Sequence, residues 1–163
     1  KFYTASVWLE TVLKTFGGDS RHVFELLQES LHLLDTAEEA RTPLLLVQFL
    51  WRYLELSGSA PGLEECSRCG KPRDEGGGLL YSRGGQGFFC RDCAGPSAEE
   101  GLLQLSPGAL RYLGYTGKVS LRKAAETDLD AGSLSALKKT ILALVEDLAG
   151  APLNSIRTGA GLL

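Results

Sequence analysis

The sequence predicts a mainly α protein, a helical bundle carrying one small inserted β-hairpin module built around four cysteines. Three observations point there. Apolar residues recur at three- and four-residue spacing in the stretches before residue 58 and after residue 106. Between them lie the chain's only cysteines, Cys66-Ser-Arg-Cys69 and, twenty residues on, Cys90-Arg-Asp-Cys93. The spacer holds two short strand candidates, Leu79-Leu80-Tyr81 and Gly87-Phe88-Phe89, with Gly84-Gly85 as the turn. The expected division is therefore a first bundle part over residues 1–62, a cysteine insert over 63–96 and a second bundle part over 97–163.

Taken in order, residues 2–16 place Ala5, Trp8, Leu9, Val12, Leu13 and Phe16 at helical spacing, and Gly17-Gly18 ends that helix. Asp19 or Ser20 caps the next, whose apolar stripe is Val23, Leu27, Leu31 and Leu34. Thr42-Pro43 reads as an N-cap followed by proline in the first turn. The helix it opens, through Leu46, Phe49, Leu50, Tyr53 and Leu54 to Gly58, is apolar on nearly every side and belongs at the centre of a bundle. The spacing of Trp8, Phe16, Phe49, Trp51 and Tyr53 makes them core residues, not a base-stacking platform. Pro61-Gly62 marks a linker, and Ala94-Gly95-Pro96 closes the insert. Ser106-Pro107 starts a short helix running to Gly114, and residues 115–132 show little period. Ser133 is expected to cap a helix through Leu134, Leu137, Ile141, Leu144, Val145 and Leu148, with Gly150 as its stop. Ala151 to Leu163 reads as extended or frayed.

The cysteine spacing is that of a tetrahedral zinc site. Each CxxC turn aims two sulfurs at one point, and Gly70 lets the backbone curl after the first pair. Four thiolates saturate zinc and leave no position for water or substrate, so the site is structural. At about thirty residues the insert is too small to fold on a hydrophobic core alone, and the metal supplies the missing stability. Iron–sulfur clusters also use four thiolates, but commonly at other spacings. Disulfides need an oxidising compartment, and no stretch reads as a secretory signal peptide.

With 163 residues, 44% hydrophobic and 23% charged, the composition is that of an ordinary globular protein. The longest apolar stretch, Leu44 to Leu56, is broken by Gln48, Arg52 and Glu55, short of the roughly 20 residues of a membrane span. A chain that opens at Lys1 and has no methionine is expected to begin inside a longer protein. A net charge of −3 argues against a dedicated cationic coat. Yet residues 110–139 hold six basic groups (Arg111, Lys118, Arg122, Lys123, Lys138, Lys139) against three acidic ones. In the insert, Arg68, Lys71, Arg73 and Arg91 have two readings: they offset the negative charge of a tetrathiolate centre, or they contact phosphate.

Enzymatic chemistry is not legible. His22 and His32 lie ten residues apart on one expected helix, pointing different ways. No GxSxG serine, P-loop or dinucleotide fingerprint occurs. Turns explain Gly76-Gly77-Gly78, and Glu38-Glu39 and Glu99-Glu100 read as helix starts or a solvated face. The fragment is therefore expected not to be an enzyme.

One ordered set of residues is more specific than the cysteines alone: Leu56-Ser57-Gly58, Pro61, Leu63, Cys66-Ser-Arg-Cys69-Gly70, Phe89-Cys90-Arg-Asp-Cys93 and Leu105-Ser106-Pro107-Gly108, then Gly150-Ala-Pro-Leu153-Asn-Ser155. This pattern resembles the C-terminal portion of the RecO family of bacterial recombination mediators, over nearly the whole chain. The resemblance implies a helical domain with a zinc insert, preceded in family members by an OB-fold. It implies Cys66, Cys69, Cys90 and Cys93 as ligands of one structural zinc. It implies a cytoplasmic, nucleoid-associated protein that binds and anneals single- and double-stranded DNA without hydrolysing nucleotide. The implied partners are RecR and the single-stranded DNA-binding protein, and through them RecA. The candidate DNA contacts are then Arg68, Lys71, Arg73, Arg83, Arg91, Arg122, Lys123, Lys138 and Lys139. The alternative is a protein-docking scaffold in which this part makes no DNA contact.

Overall fold

A computed structural model describes residues 1–15, 20–73, 77–83, 87–94 and 102–159, with side chains for all of these but Ser20. Expectations resting on Phe16, Gly17, Gly18, Asp19, Gly76, Gly84, Gly85, Gly95, Pro96, Glu99, Glu100 and residues 160–163 lie outside them. The helices are α1 (Phe2–Thr15), α2 (Ser20–Thr36), α3 (Thr42–Leu56), α4 (Arg91–Ala94), α5 (Pro107–Thr116), α6 (Leu121–Glu126), α7 (Ala131–Ala149) and α8 (Asn154–Thr158). The strands are β1 (Leu79–Tyr81), β2 (Phe88–Phe89) and β3 (Leu103–Leu105). The fold is mainly helical, as expected.

Helix α3 is the axis. Leu44 to Trp51, Tyr53 and Leu54 are all buried, and α1, α2, α6 and α7 pack around them. Its only buried side-chain amide, Gln48, donates to Thr116 Oγ1 at 2.9 Å, so the apolar centre holds no loose donor there. Arg52 donates to the carbonyls of Thr116 and Val119, both at 2.7 Å, and fastens the end of α5 to α3. The start of α3 corrects the expected cap. A 3₁₀ turn, Glu39–Arg41, runs directly into the helix, Arg41 is already helical, and the buried Thr42 hydroxyl has no partner among the described residues. Pro43 does sit in the first turn.

The two outer stripes are also corrected. On α1 the buried face is Thr4, Val7, Trp8 and Thr11, whereas Leu9 and Leu13 are 43% and 76% exposed. Trp8 decides this by packing on Phe49 with ring centroids 4.8 Å apart. Thr11 tolerates burial because its hydroxyl donates to the Val7 carbonyl at 2.7 Å. On α2 the buried line is Val23, Leu26, Ser30, Leu33 and Leu34, with Leu27 and Leu31 half-buried at its edge.

The sheet has three antiparallel strands in the order β2-β1-β3. Leu80 faces Phe89 and Tyr81 faces Phe88 on one side, and Leu79 faces Leu105 on the other. The expected hairpin is present, and β3 is an addition: three residues are too short to show a period. Gly78 explains the close approach, since a Cβ there would lie 2.6 Å from the Leu105 carbonyl oxygen. Leu79, Tyr81, Phe88 and Leu105 join the core of the bundle, with β3 lying on α7. The Tyr81 hydroxyl donates to Asp147 of α7.

Ser106 caps α5 as expected, accepting from the Ala109 N–H at 3.1 Å. The cap of α7 is Asp130, not Ser133: Asp130 Oδ1 accepts from the Ser133 N–H at 2.8 Å. Ser133 instead lies 2.7 Å, hydroxyl to hydroxyl, from Ser106 and joins the starts of α5 and α7. Gly150, at φ 66°, ends α7 in the left-handed conformation that glycine adopts most easily. The segment expected to fray forms α8, which docks on α1. Glu10 of α1 accepts from the N–H groups of Asn154 and Ser155 at 2.9 and 2.7 Å and from the Ser155 hydroxyl at 2.6 Å.

Candidate metal centre and its cationic surround

Two turns face one another at the open end of the sheet. In the first, Cys66 N–H donates to Lys71 O and Gly70 N–H to Cys66 O, both at 2.9 Å. Gly70 sits at φ 69°, which folds the chain back to a bridge between Glu65 and Pro72. In the second, the N–H groups of Cys93 and Ala94 both donate to Cys90 O at 3.2 Å, and this turn becomes α4. Ser67 N–H donates to Phe88 O at 2.9 Å and sets the first turn against β2.

The four sulfurs of Cys66, Cys69, Cys90 and Cys93 all lie within 4.8 Å of one another, and none is in a disulfide. A tetrahedron of thiolates at about 2.3 Å from zinc has edges of about 3.8 Å. Cys69 Sγ and Cys90 Sγ are 3.9 Å apart. The donor set and its size therefore fit one structural metal ion. Burial pushes the Cys66 thiol up, but the N–H groups of Cys90, Cys69 and Arg68 aimed at its sulfur prevail and hold its pKa at about 6. Hydrogen bonding with Cys69 and Cys90 raises the Cys93 thiol to about 12. Metal binding to such a cluster requires the thiols as thiolates and so releases protons.

The expected cations divide into distinct settings. Arg68 donates to Cys93 O at 2.7 Å and lies 5.4 Å over the Phe89 ring, so it clamps the second turn. Arg83 pairs with Glu146 of α7 at 2.8 Å, and Lys123 with Glu126 at 3.8 Å. Arg122 and Lys139 are exposed on α6 and α7, and Lys138 is half-buried. Lys71, Arg73 and Arg91 line a single cleft of about 520 Å³ beside Cys66 and Cys90, together with Asp92 and Gln104. Asp92 and Gln104 were not expected there. Asp92 shares the CxxC turn with Arg91, and Gln104 lies on the strand that the sequence does not announce.

A family model described as "Recombination protein O C terminal" matches residues 1–157. The chain belongs to the RecO family. A DNA repair protein RecO of Rubrobacter xylanophilus is 32% identical over 146 residues, covering 89% of this chain and 56% of that protein. One from Exiguobacterium is 29% identical over 155 residues, covering 94% and 59%. One from Streptomyces coelicolor is 39% identical over 103 residues, covering 62% and 38%. The chain spans about half the length of the curated RecO proteins it matches. No solved structure matches it significantly. Among the described residues, no helix of this RecO chain is long and apolar enough to cross a membrane.

Proposed function

We propose that this chain is the helical and zinc-bearing part of a non-catalytic DNA repair and recombination mediator. One zinc ion held by Cys66, Cys69, Cys90 and Cys93 is structural, and the cationic side chains around it meet DNA phosphates. The observation that carries this reading is the four-sulfur cluster in a chain of the RecO family. A closed tetrathiolate centre supplies folding free energy and offers no open coordination position. The chain's own part is to hold two turns and their basic neighbours in fixed register. Phosphate contacts of this kind are independent of base sequence and weaken with salt, which suits a protein that must engage any damaged strand. In the whole protein, we place the activity as DNA binding and strand annealing in the bacterial cytoplasm, with RecR and the single-stranded DNA-binding protein, to help load RecA. The division into bundle over 1–62, insert over 63–96 and bundle over 97–163 belongs to the same reading.

Metal analysis of the purified protein tests it. One zinc per chain is expected, and Cys66→Ser should reduce zinc to well below that ratio and lower the melting temperature. Full occupancy in Cys66→Ser would refute four-thiolate ligation. A second reading, a docking scaffold without DNA contact, is favoured by one feature: Phe2, Leu9 and Leu13 share a face of α1 at 78%, 43% and 76% exposure. Absence of DNA binding by this chain even at low ionic strength would select it.

A further inference from the structure

We propose that the cleft between the cysteine turns and the sheet is a seat for one backbone phosphate of single-stranded nucleic acid, gripped by Lys71, Arg73 and Arg91. The proposal rests on the DNA-binding reading above and narrows it to one place. Of the five cations expected around the cysteines, Arg68 and Arg83 are spent elsewhere, on Cys93 O and Glu146. The other three converge on one cavity, large enough at about 520 Å³ for a phosphodiester and its water. Their convergence follows from the turns. Lys71 comes two residues after Cys69 and Arg91 directly after Cys90, so closing the sulfur cluster brings them to one side. Arg73 is half-buried, lines the cleft and donates its Nε to Leu63 O at 2.9 Å, which fixes the guanidinium and leaves the terminal nitrogens uncommitted to that bond. Arg91 has no partner among the described residues. Gln104 adds a neutral donor from the sheet, and Gly77 and Gly78 line the cleft with no side chain.

One group opposes the ligand. Asp92 lies 3.7 Å from Lys71, and both side chains are largely exposed, so the pair is weak and a phosphate displaces it readily. This gives the cleft a signature that a passive charge-balancing role lacks: removing a negative charge should tighten binding. A single strand suits the cleft better than a duplex, because a flexible backbone can lower one phosphate into a recess.

The test uses the zinc-replete chain and a labelled oligothymidylate, with affinity read by fluorescence anisotropy over a salt series. Lys71→Gln with Arg91→Gln should weaken binding by about tenfold or more near 50 mM salt and flatten the slope of log affinity against log salt by up to about 0.7, one phosphate's worth. Asp92→Asn should tighten binding several-fold. Arg21→Gln with Arg157→Gln, which removes equal charge from exposed sites on α2 and α8, should change affinity by less than about twofold. Zinc content and melting temperature check that each variant is folded, and Lys71→Arg with Arg91→Lys should retain binding. If folded Lys71→Gln/Arg91→Gln binds as the parent does, or Asp92→Asn does not tighten binding, the seat is wrong while DNA binding by the chain stands. If the parent binds no oligonucleotide at low salt, the DNA-binding reading fails, and the seat with it.

Discussion

The clasp between α1 and α8 gives the sharpest stability prediction. Glu10 accepts two N–H groups and a hydroxyl from Asn154 and Ser155, and Lys14 lies 2.9 Å away. Its side chain is 17% exposed. Burial alone would raise the carboxyl, but the hydrogen bonds from the Ser155 hydroxyl and N–H, from Lys14 and from the Asn154 N–H prevail and lower it from 4.5 to about 2. That difference corresponds to at most about 3.4 kcal/mol. Screening at the molecular surface reduces the expected value to about 2 kcal/mol. The sign follows from linkage. A folded-state value below the unfolded one stabilises above pH 4.5, and the stabilisation is lost as pH falls toward 2. Glu10→Gln keeps one acceptor and removes the charge. In urea unfolding at pH 7 it should be less stable by about 2 kcal/mol, equivalent to about 4–8 °C of melting temperature. By pH 3 more than half of the difference should vanish, because the parent is losing the same charge-assisted bonds. Equal stability of the two proteins at pH 7, or a gap that stays constant to pH 3, would refute this account of how the tail is held.

Two further outcomes probe the core and the sheet. Gly78→Ala should destabilise by about 1–3 kcal/mol, because the new methyl meets the Leu105 carbonyl oxygen and must part β1 from β3; hydrogen exchange at Leu79 to Tyr81 should speed up, and unchanged exchange would count against the tight strand approach. Phe49→Ala, at a fully buried ring between Trp8 and Tyr53, should cost about 3–5 kcal/mol in denaturant unfolding; a loss under about 1 kcal/mol would place α3 outside the centre of the bundle.

What the sequence announces and what it conceals divide along physical lines. Helix α3 was legible because burial on every side leaves a run of apolar residues that no other placement satisfies. The cysteine centre was legible because metal coordination demands particular atoms at particular spacing. The α1 stripe was not: the helix carries Leu9 and Leu13 on one side and Thr4, Val7, Trp8 and Thr11 on another, and hydropathy prefers the leucines. The structure prefers the threonines because a self-bonded hydroxyl is cheap to bury and Trp8 is not cheap to expose. The capping errors at Thr42 and Ser133 have a related cause. Both residue types cap well, but a 3₁₀ turn already precedes Thr42, and Asp130 stands three residues before Ser133 with a stronger acceptor. Helix α8 was illegible because its stability comes from Glu10, 144 residues away from Asn154, and no local pattern carries that information.

The same non-local logic binds the cysteine centre to the rest of the protein. A free-standing finger would need its metal only for itself. Here β1 pairs on one side with β2, which leads into Cys90, and on the other with β3, which leads into the Ser106 cap of α5. Tyr81 and Arg83 reach Asp147 and Glu146 on α7, and α7 packs on α3. The sulfur cluster is therefore linked through the sheet to the axis of the bundle in three steps, each a named contact. Loss of the metal should accordingly loosen more than the two turns: exchange protection should fall along β1 and β3 before it falls in α3, since the strands have only two or three residues each to hold them.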